Sequence, residues 1–276
     1  MRMAATQKKV VLVTGASSGI GRACAELLAA RGHRVYGASR RPATGPPRIS
    51  TVESIAMDVT NDASVRDAVA GMIAREGRID IVVNNAGFGI AGAVEDTSVE
   101  EAREQFEVNF FGVLRVCRAV LPALRKQRTS YIVNIGSIGG LIAIPYQGLY
   151  SASKFALEGL TESLRMEMRQ FGVNVVLIEP GDHRTGFTDK RRRTADSESN
   201  PAYRARFQRA VERMAADERS APEPEAVARL LLRIVKKARP RLRYTAGPAP
   251  QRAVVWLKRV TPYALVEKVM DFYYSR

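Results

Sequence analysis

The stretch Val10-Val-Leu-Val-Thr14-Gly15-Ala16-Ser17-Ser18-Gly19-Ile20-Gly21 joins a short apolar run to a helical pattern through three glycines. Each glycine has a physical use in a strand-to-helix turn. Gly15 permits the tight turn, Gly19 lets the backbone approach a pyrophosphate closely, and Gly21 allows the helix to pack against the strand. An anion held there would sit at the helix N-terminus, against its free N–H groups. The spacing is GxxxGxG and differs from the commoner GxGxxG dinucleotide fingerprint.

Outward from this turn, apolar runs alternate with helical patterns along the whole chain. Residues 10–14, 34–38, 54–57, 80–84, 130–135 and 173–179 read as strands, and helical stretches lie near 19–31, 62–75, 98–127 and 148–171. A seventh strand is expected at 242–246, after a helix near 222–237. Strands alternating with helices imply βαβ units. The expected fold is therefore α/β: a doubly wound, parallel, seven-stranded sheet of Rossmann type, with helices on both faces and a helical C-terminal extension. With no internal repeat and no long linker, residues 1–276 read as one domain. Residues 181–200 are charged, lack clear periodicity and read as a mobile loop leading into a short helix near 202–216. The tail, 249–276, carries Val254-Val-Trp-Leu257 and a second apolar stretch after Pro262. Three readings fit it: packing in the core or at an interface, covering a cleft, or lying on a membrane.

The end of the second strand reads Ala38-Ser39-Arg40-Arg41, with no acid. An acidic residue there accepts from a ribose 2′-hydroxyl, whereas an arginine suits a 2′-phosphate. Arg40 and Ser39 therefore favour NADP(H) over NAD(H).

Farther along, Tyr150-Ser-Ala-Ser-Lys154 places a phenol and an ammonium four residues apart, on one helix face. A free tyrosine, with a pKa near ~10, is a poor base at neutral pH, and a neighbouring cation favours its phenolate. Ser137 lies thirteen residues upstream, beyond the apolar run Tyr131-Ile-Val-Asn-Ile135. A hydroxyl in that place can steady a reacting carbonyl or alcohol oxygen.

Composition narrows the classes. Nearly half of the 276 residues are hydrophobic, and no apolar run approaches the ~18 residues of a membrane span. The polar N-terminus, Met1 to Lys9, offers no secretory signal, and a cytoplasmic location is expected. Cys24 and Cys117 lie in amphipathic helical patterns, and with His33 and His183 as the only histidines neither a zinc site nor a disulfide is expected. The net charge is +15, of which residues 189–276 carry +11, holding 21 of the 43 basic and 10 of the 28 acidic residues. The one dense run, Lys190-Arg-Arg-Arg193, has no interleaved aromatic residues and reads as a solvated loop or as electrostatic help for an anionic ligand or membrane; no nucleic acid is expected.

Taken in order, these motifs resemble the short-chain dehydrogenase/reductases, in the branch of single-domain enzymes of roughly 250 residues. The resemblance rests on the glycine-rich turn, Asp58 in Met-Asp-Val-Thr, Asn84-Asn-Ala-Gly87, Asn109 in Val-Asn-Phe-Phe-Gly, Ser137, Tyr150-x-x-x-Lys154 and Pro180-Gly181. It is close over residues 8–188. It implies that Gly15, Ser17, Ser18, Gly19, Ile20 and Gly21 hold a dinucleotide and that Asp58 and Val59 contact its adenine. It further implies that Asn85, Ala86 and Gly87 line the cofactor and that Tyr150 is the general acid in reduction and the base in oxidation. Lys154 would bond the nicotinamide ribose and lower the pKa of the phenol. Ser137 would orient the substrate oxygen, and Asn109 would bend its helix and hold a water linked to Lys154. Pro180, Gly181 and Thr185 would close the site near the nicotinamide, Thr185 bonding its carboxamide. One departure stands out: Pro180-Gly-Asp-His-Arg-Thr185 has His183 where the family carries an aliphatic residue, and His183 reads as a solvated loop residue or a substrate contact.

The resemblance also implies a substrate cleft formed by residues 181–240 and the tail. Residues 88–92, with Leu141, Ile142, Ile144 and Tyr146, suggest a mostly apolar pocket. Its expected occupant is a small-molecule secondary alcohol or ketone, such as the hydroxysteroids and retinoids handled by similar members. Two other readings are a dinucleotide-sensing protein without activity and an enzyme whose basic tail binds anionic lipid. Pairing of the long helices near 98–127 and 148–171 would give a homodimer or homotetramer.

Overall fold

The computed structural model describes residues 8–41, 52–127 and 129–275. Most of the Met1 to Lys9 segment lies outside them. The strands are β1 (Val10–Thr14), β2 (Arg34–Ser39), β3 (Val52–Ala56), β4 (Ile81–Asn84), β5 (Ile90–Ala91), β6 (Ser130–Ile135), β7 (Val173–Pro180), β8 (Arg192–Arg193) and β9 (Arg243–Ala246). Seven of them form one sheet in the order β3-β2-β1-β4-β6-β7-β9, every pair parallel. The other two, β5 and β8, pair only with each other.

Side chains alternate along the central strands, and both sets are buried. Val10 and Leu12 of β1 join Val82, Ile132 and Val175 in one core, while Val11 and Val13 join Ile81, Val133 and Val176 in the other. The first core is closed by α2 (Asp62–Glu76), α4 (Gly112–Leu124) and α5 (Gly148–Met168), through Met72, Val120 and Leu157. The second is closed by α1 (Gly19–Ala30) and α9 (Glu225–Ile234), through Leu28 and Leu231. Burial on both faces is why these strands read as continuous apolar runs. Cys24 and Cys117 sit in opposite cores, and burial pushes both thiols up to about 12. They are inert packing groups and cannot pair.

Two expectations are corrected. The helix read over 98–127 is interrupted. It consists of α3 (Val99–Phe106), opened by a Ser98–Glu101 capping box, then a π-helical turn at Glu107–Phe111, then α4. The widened turn sets Asn109 inward, where it is 1% exposed. The second correction concerns residues 181–200, which are ordered rather than a free loop. They contain α6 (Phe187–Lys190), β8 and α7 (Ala195–Ser199). Arg192 N and Thr194 N donate to the carbonyls of Gly89 (3.0 Å) and Ala91 (2.9 Å), so this segment finds its partner a hundred residues upstream.

The tail resolves into α10 (Ala249–Val260) and α11 (Tyr263–Ser275), and the latter packs on α8 (Arg204–Ser220). Tyr273 Oη donates to Asp217 (2.7 Å) and its ring lies 4.3 Å from the Arg213 guanidinium carbon. Among the described residues no helix is long and apolar enough to cross a membrane.

Leu12, fully buried at the centre of β1, tests the two-faced core. Leu12→Ala should lower unfolding free energy by ~2–5 kcal/mol in urea titrations. Arg66→Ala, on the exposed side of α2, should stay within about 0.5 kcal/mol of the parent. Equal effects would contradict the packing.

Candidate active site

All seven sheet strands run in the same direction, so their carboxyl ends share one edge, and a cleft of ≈ 1040 Å³ opens there. The cleft begins at the glycine-rich turn. Gly15 and Gly19 adopt φ of +65° and +55°, and a Cβ on Gly15 would lie 2.8 Å from the Ala86 Cα. Ser18, at the N-cap of α1, makes no side-chain cap, which leaves the first N–H groups of the helix for an anion. Lys190 Nζ donates to Ser18 Oγ (2.7 Å) and brings a cation to the same place. An uncapped helix end, a close-packed glycine turn and an adjacent ammonium fit a dinucleotide pyrophosphate.

The other residues singled out in the sequence mostly line the same cleft: Ser17, Ile20, Ser39, Arg40, Asp58 and Val59 on one side, Asn85, Ala86 and Gly87 at the back, and Ser137, Tyr150, Lys154, Pro180, Gly181 and Thr185 on the other. Two do not reach it. Gly21 lies behind the turn, where a Cβ would come within 2.3 Å of Asn85 Nδ2. Asn109 stands behind the wall. Its Nδ2 donates to Phe88 O (3.0 Å) and Ser153 Oγ (3.1 Å), and its Oδ1 accepts from Phe88 N (3.1 Å).

Several side chains are occupied locally. Asp58 Oδ1 accepts from both Thr60 N (3.0 Å) and Thr60 Oγ1 (2.8 Å), an Asx turn before α2, whose own cap is Asn61. Ser39 Oγ donates to Arg41 O (2.8 Å). Arg40 is exposed at the cleft edge, and no carboxylate pairs with it among the described residues. Thr185 Oγ1 accepts from Phe187 N (3.2 Å).

Around Tyr150 burial outweighs charge. Burial pushes the phenol up to about 12, against a lowering hydrogen bond with Ser137 and a weaker pull from Arg191. The Lys154 ammonium lies 5.9 Å from the ring centroid and donates to Ile135 O (2.9 Å). Its own pKa is pushed down to about 8, again by burial, with Glu158 opposing. The sequence-based expectation of a phenol lowered by the Lys154 cation is therefore corrected for this state: burial raises the phenol, and Lys154 is not among the charges that lower it.

The far wall is apolar, as expected, but only part of it was foreseen. Phe88, Ile142 and Ile144 line the cleft, whereas Leu141 and Tyr146 do not. Tyr146 packs edge-on against Phe207 (5.7 Å between centroids) instead. Phe187 stacks edge-on against Tyr150 at 5.8 Å, and Met214, Val254, Val269 and Met270 come from α8 and the tail. The tail thus covers the cleft.

Two readings of the basic loop are also corrected. Arg191, Arg192 and Arg193 pair with Glu218, Glu104 and Glu198, and the Arg191–Glu218 pair is almost fully buried. His183 is 4% exposed, with Nδ1 3.0 Å from Gly181 O, so it is no solvated loop histidine. Sequence reasoning passed over Asp182, Gln251, Glu218 and Tyr274, which all line the cleft. The only signal for Asp182 was its place in the irregular Pro180-to-Thr185 segment.

Known proteins share this fold. The family model for short chain dehydrogenase matches residues 9–196. The chain belongs to the short-chain dehydrogenases. It is an oxidoreductase of that family, with a nucleotide-binding Rossmann fold. It is 42% identical over 269 residues to the 3-ketodihydrosphingosine reductase of Bacteroides thetaiotaomicron, spanning 98% of this chain and 99% of that one. A crystal structure of a short-chain dehydrogenase from Streptomyces avermitilis superposes with a TM-score of 0.83 at 32% identity, covering 95% of this chain and 96% of that one. A short chain dehydrogenase/reductase from Burkholderia phymatum, solved in complex with NAD, gives 0.78 at 29% identity, covering 93% and 95%.

The buried Lys154 makes a direct prediction. Because its folded pKa is depressed, the amine stays cationic below about 8 and loses its proton as pH rises through that value. The 13C shift of Lys154 Cε, assigned by comparison with Lys154→Arg, should titrate with a midpoint near there. A midpoint at the ordinary lysine value of ~10.4 would contradict the burial.

Proposed function

We propose that this short-chain dehydrogenase reduces a lipophilic ketone with NADPH, Tyr150 supplying the proton. The observation that carries the reading is the convergence of Ser137 and Tyr150 in a cleft walled by apolar side chains, with Tyr150 held as a phenol. A protonated phenol is the group that reduction needs, since it donates to the oxygen on which charge develops. Support comes also from the relative named as a ketodihydrosphingosine reductase.

When bound, the dinucleotide supplies hydride; everything else falls to the protein. Ser137 and Tyr150 both carry hydroxyl hydrogens that can be aimed at one carbonyl oxygen. Their hydrogen bonds polarise it, and Tyr150 transfers its proton as charge develops there. Ser137 Oγ also accepts from Gly139 N (3.0 Å), which fixes the side chain. Lys154, cationic at neutral pH, steadies negative charge on Tyr150 after the transfer and is oriented by the Ile135 carbonyl. Asn109 holds Ser153 and Phe88 in place through three hydrogen bonds and links the wall of the cleft to the helix that carries Tyr150 and Lys154. The apolar wall keeps water from competing for the proton.

The preference for NADPH rests on Arg40, a cation at the cleft edge with no carboxylate partner among the described residues, at the strand end where an acid would favour NADH. Titration of the parent by nicotinamide fluorescence should give tighter binding of NADPH than NADH. Arg40→Asp should reduce that preference by roughly 10- to 100-fold, the scale of a charge-assisted hydrogen bond. An unchanged ratio would remove Arg40 from the phosphate site. Tyr150→Phe should retain NADPH binding while turnover of a long-chain ketone falls by ~100-fold or more. Turnover near the parent rate would sink the proton-transfer assignment.

A further inference from the structure

The tail has two sides, and the cleft accounts for only one of them. Val254, Val269 and Met270 border the cleft, and Val255 and Val266 are buried. Gln251 Oε1 accepts from Asp182 N (2.9 Å), and Lys258 Nζ donates to Leu141 O, beside the turn that follows Ser137. These inner contacts fix α10 and α11 against the body of the protein.

The outer side is apolar and basic. On α10, Arg252, Trp256, Arg259 and Val260 stand at i, i+4, i+7 and i+8, along one helix face, and all four are exposed. On α11, Leu265, Lys268 and Phe272 stand at i, i+3 and i+7 and are exposed as well, with exposed Tyr263 at the start of the helix. Trp256 is 63% exposed, so an indole sits mostly in water. Single exposed apolar side chains are ordinary on a protein surface. Here, however, seven of the twelve large ones among the described residues fall between Trp256 and Tyr273, which makes a patch.

Charge selects what the patch meets. Arg191, Arg192, Arg193, Arg213 and Arg243 all pair with carboxylates. Arg252, Arg259 and Lys268 form no ion pair among the described residues, although the charge of Arg259 is felt at the buried Glu179. The two acids of the tail, Glu267 and Asp271, lie about 100–140° around α11 from Phe272. A helix face that joins Trp and Tyr to unmatched Arg and Lys is suited to the headgroup layer of a membrane. A second copy in two-fold contact would set these cations against themselves. An anionic bilayer satisfies both the apolar and the charged groups.

We propose that the outer face of α10 and α11 docks the protein onto an anionic lipid bilayer. Trp256, Val260, Tyr263, Leu265 and Phe272 enter the interface, and Arg252, Arg259 and Lys268 meet the headgroups. The helices lie on the membrane and do not cross it. Docking in this way sets the cleft, lined by the other side of the same helices, beside the phase in which a lipophilic ketone concentrates. That consequence rests on the reading of the site as a ketone reductase; the docking itself does not.

Trp256 is the only tryptophan in the chain, so its fluorescence reports this face directly. With vesicles of phosphatidylcholine and phosphatidylglycerol in equal parts, its emission should shift to the blue, and brominated acyl chains should quench it. Pure phosphatidylcholine vesicles should leave the emission unchanged, and added salt should reverse the shift. In vesicle sedimentation, the triple variant Arg252→Glu, Arg259→Glu and Lys268→Glu should bind at least about 100-fold more weakly. The pair Val260→Ser and Leu265→Ser, which keeps every charge, should lose about ten-fold or more. A parent that ignores phosphatidylglycerol, binds phosphatidylcholine equally, or binds with Trp256 unquenched would overturn the proposal. So would binding that resists salt, or variants that bind as the parent does. A blue shift that grows with protein concentration in the absence of lipid would assign the face to a second copy and overturn it as well. None of these measurements uses NADPH or a ketone, so failure here leaves the reductase reading intact, and failure of turnover leaves the docking face intact.

Discussion

The Thr14 hydroxyl ties the site together. At the end of β1 it accepts hydrogen bonds from Asn85 N (3.0 Å) and Ala86 N (3.1 Å) and donates to Val83 O (3.4 Å). Asn85 Nδ2 returns to the carbonyls of Thr14 (3.0 Å) and Gly15 (3.2 Å). These bonds join the loops after β1 and β4 at the point where a parallel sheet leaves its carboxyl ends open. The cleft is therefore backed by backbone held on both sides, and the glycine turn cannot drift from the Asn85–Gly87 wall. Deeper in, Asn84 Nδ2 bonds Asn134 Oδ1 (2.8 Å) and Asn134 Nδ2 bonds Thr161 Oγ1 (2.9 Å), which anchors β4 and β6 to α5, the helix of Tyr150 and Lys154. These side-chain bonds hold the register more strictly than apolar packing alone, although Asn84 Oδ1 is buried without a partner among the described residues.

Desolvation is the common thread in the chemistry. It is the largest influence on Tyr150, Lys154 and Asp182, and it drives each toward its neutral form. For Tyr150 that means a proton donor. For Lys154 it means a cation that persists only to about pH 8. For Asp182 it means a carboxyl raised to about 6, with the Gln251 hydrogen bond and the Arg191 charge opposing. The tail is responsible for much of this, since Val254, Val269 and Met270 line the cleft and Gln251 orients Asp182. The tail, expected from the sequence to border the cleft, thus contributes to the dryness of the site.

Much of this architecture was legible in residues 10–21 and in the alternation that follows. The apolar strands, the glycines and the Tyr150–Lys154 spacing are local features, set by hydrophobic periodicity and backbone sterics, and they appear where the sequence placed them. The resemblance implied that Asn109 bends its helix, but the form of the bend, a π turn, leaves no trace in the pattern of 98–127. Within the widened turn Asn109 bonds Phe88 and Ser153, partners distant in sequence. Residues 181–200 misled for a related reason. Their order comes from pairing β8 with β5 and from burying Arg191 against Glu218, contacts that leave no periodic trace.

The sequence by itself determined the parallel sheet, its two cores, the family and the residues at the carboxyl edge, because each follows from local pattern or short spacing. Tertiary structure alone decided that burial raises the Tyr150 phenol, that the tail covers the cleft and that Asp182 lies in its wall. Those outcomes depend on how much water remains around a group and which distant side chains reach it. Burial and long-range pairing are properties of the folded chain, and no stretch of residues carries them on its own.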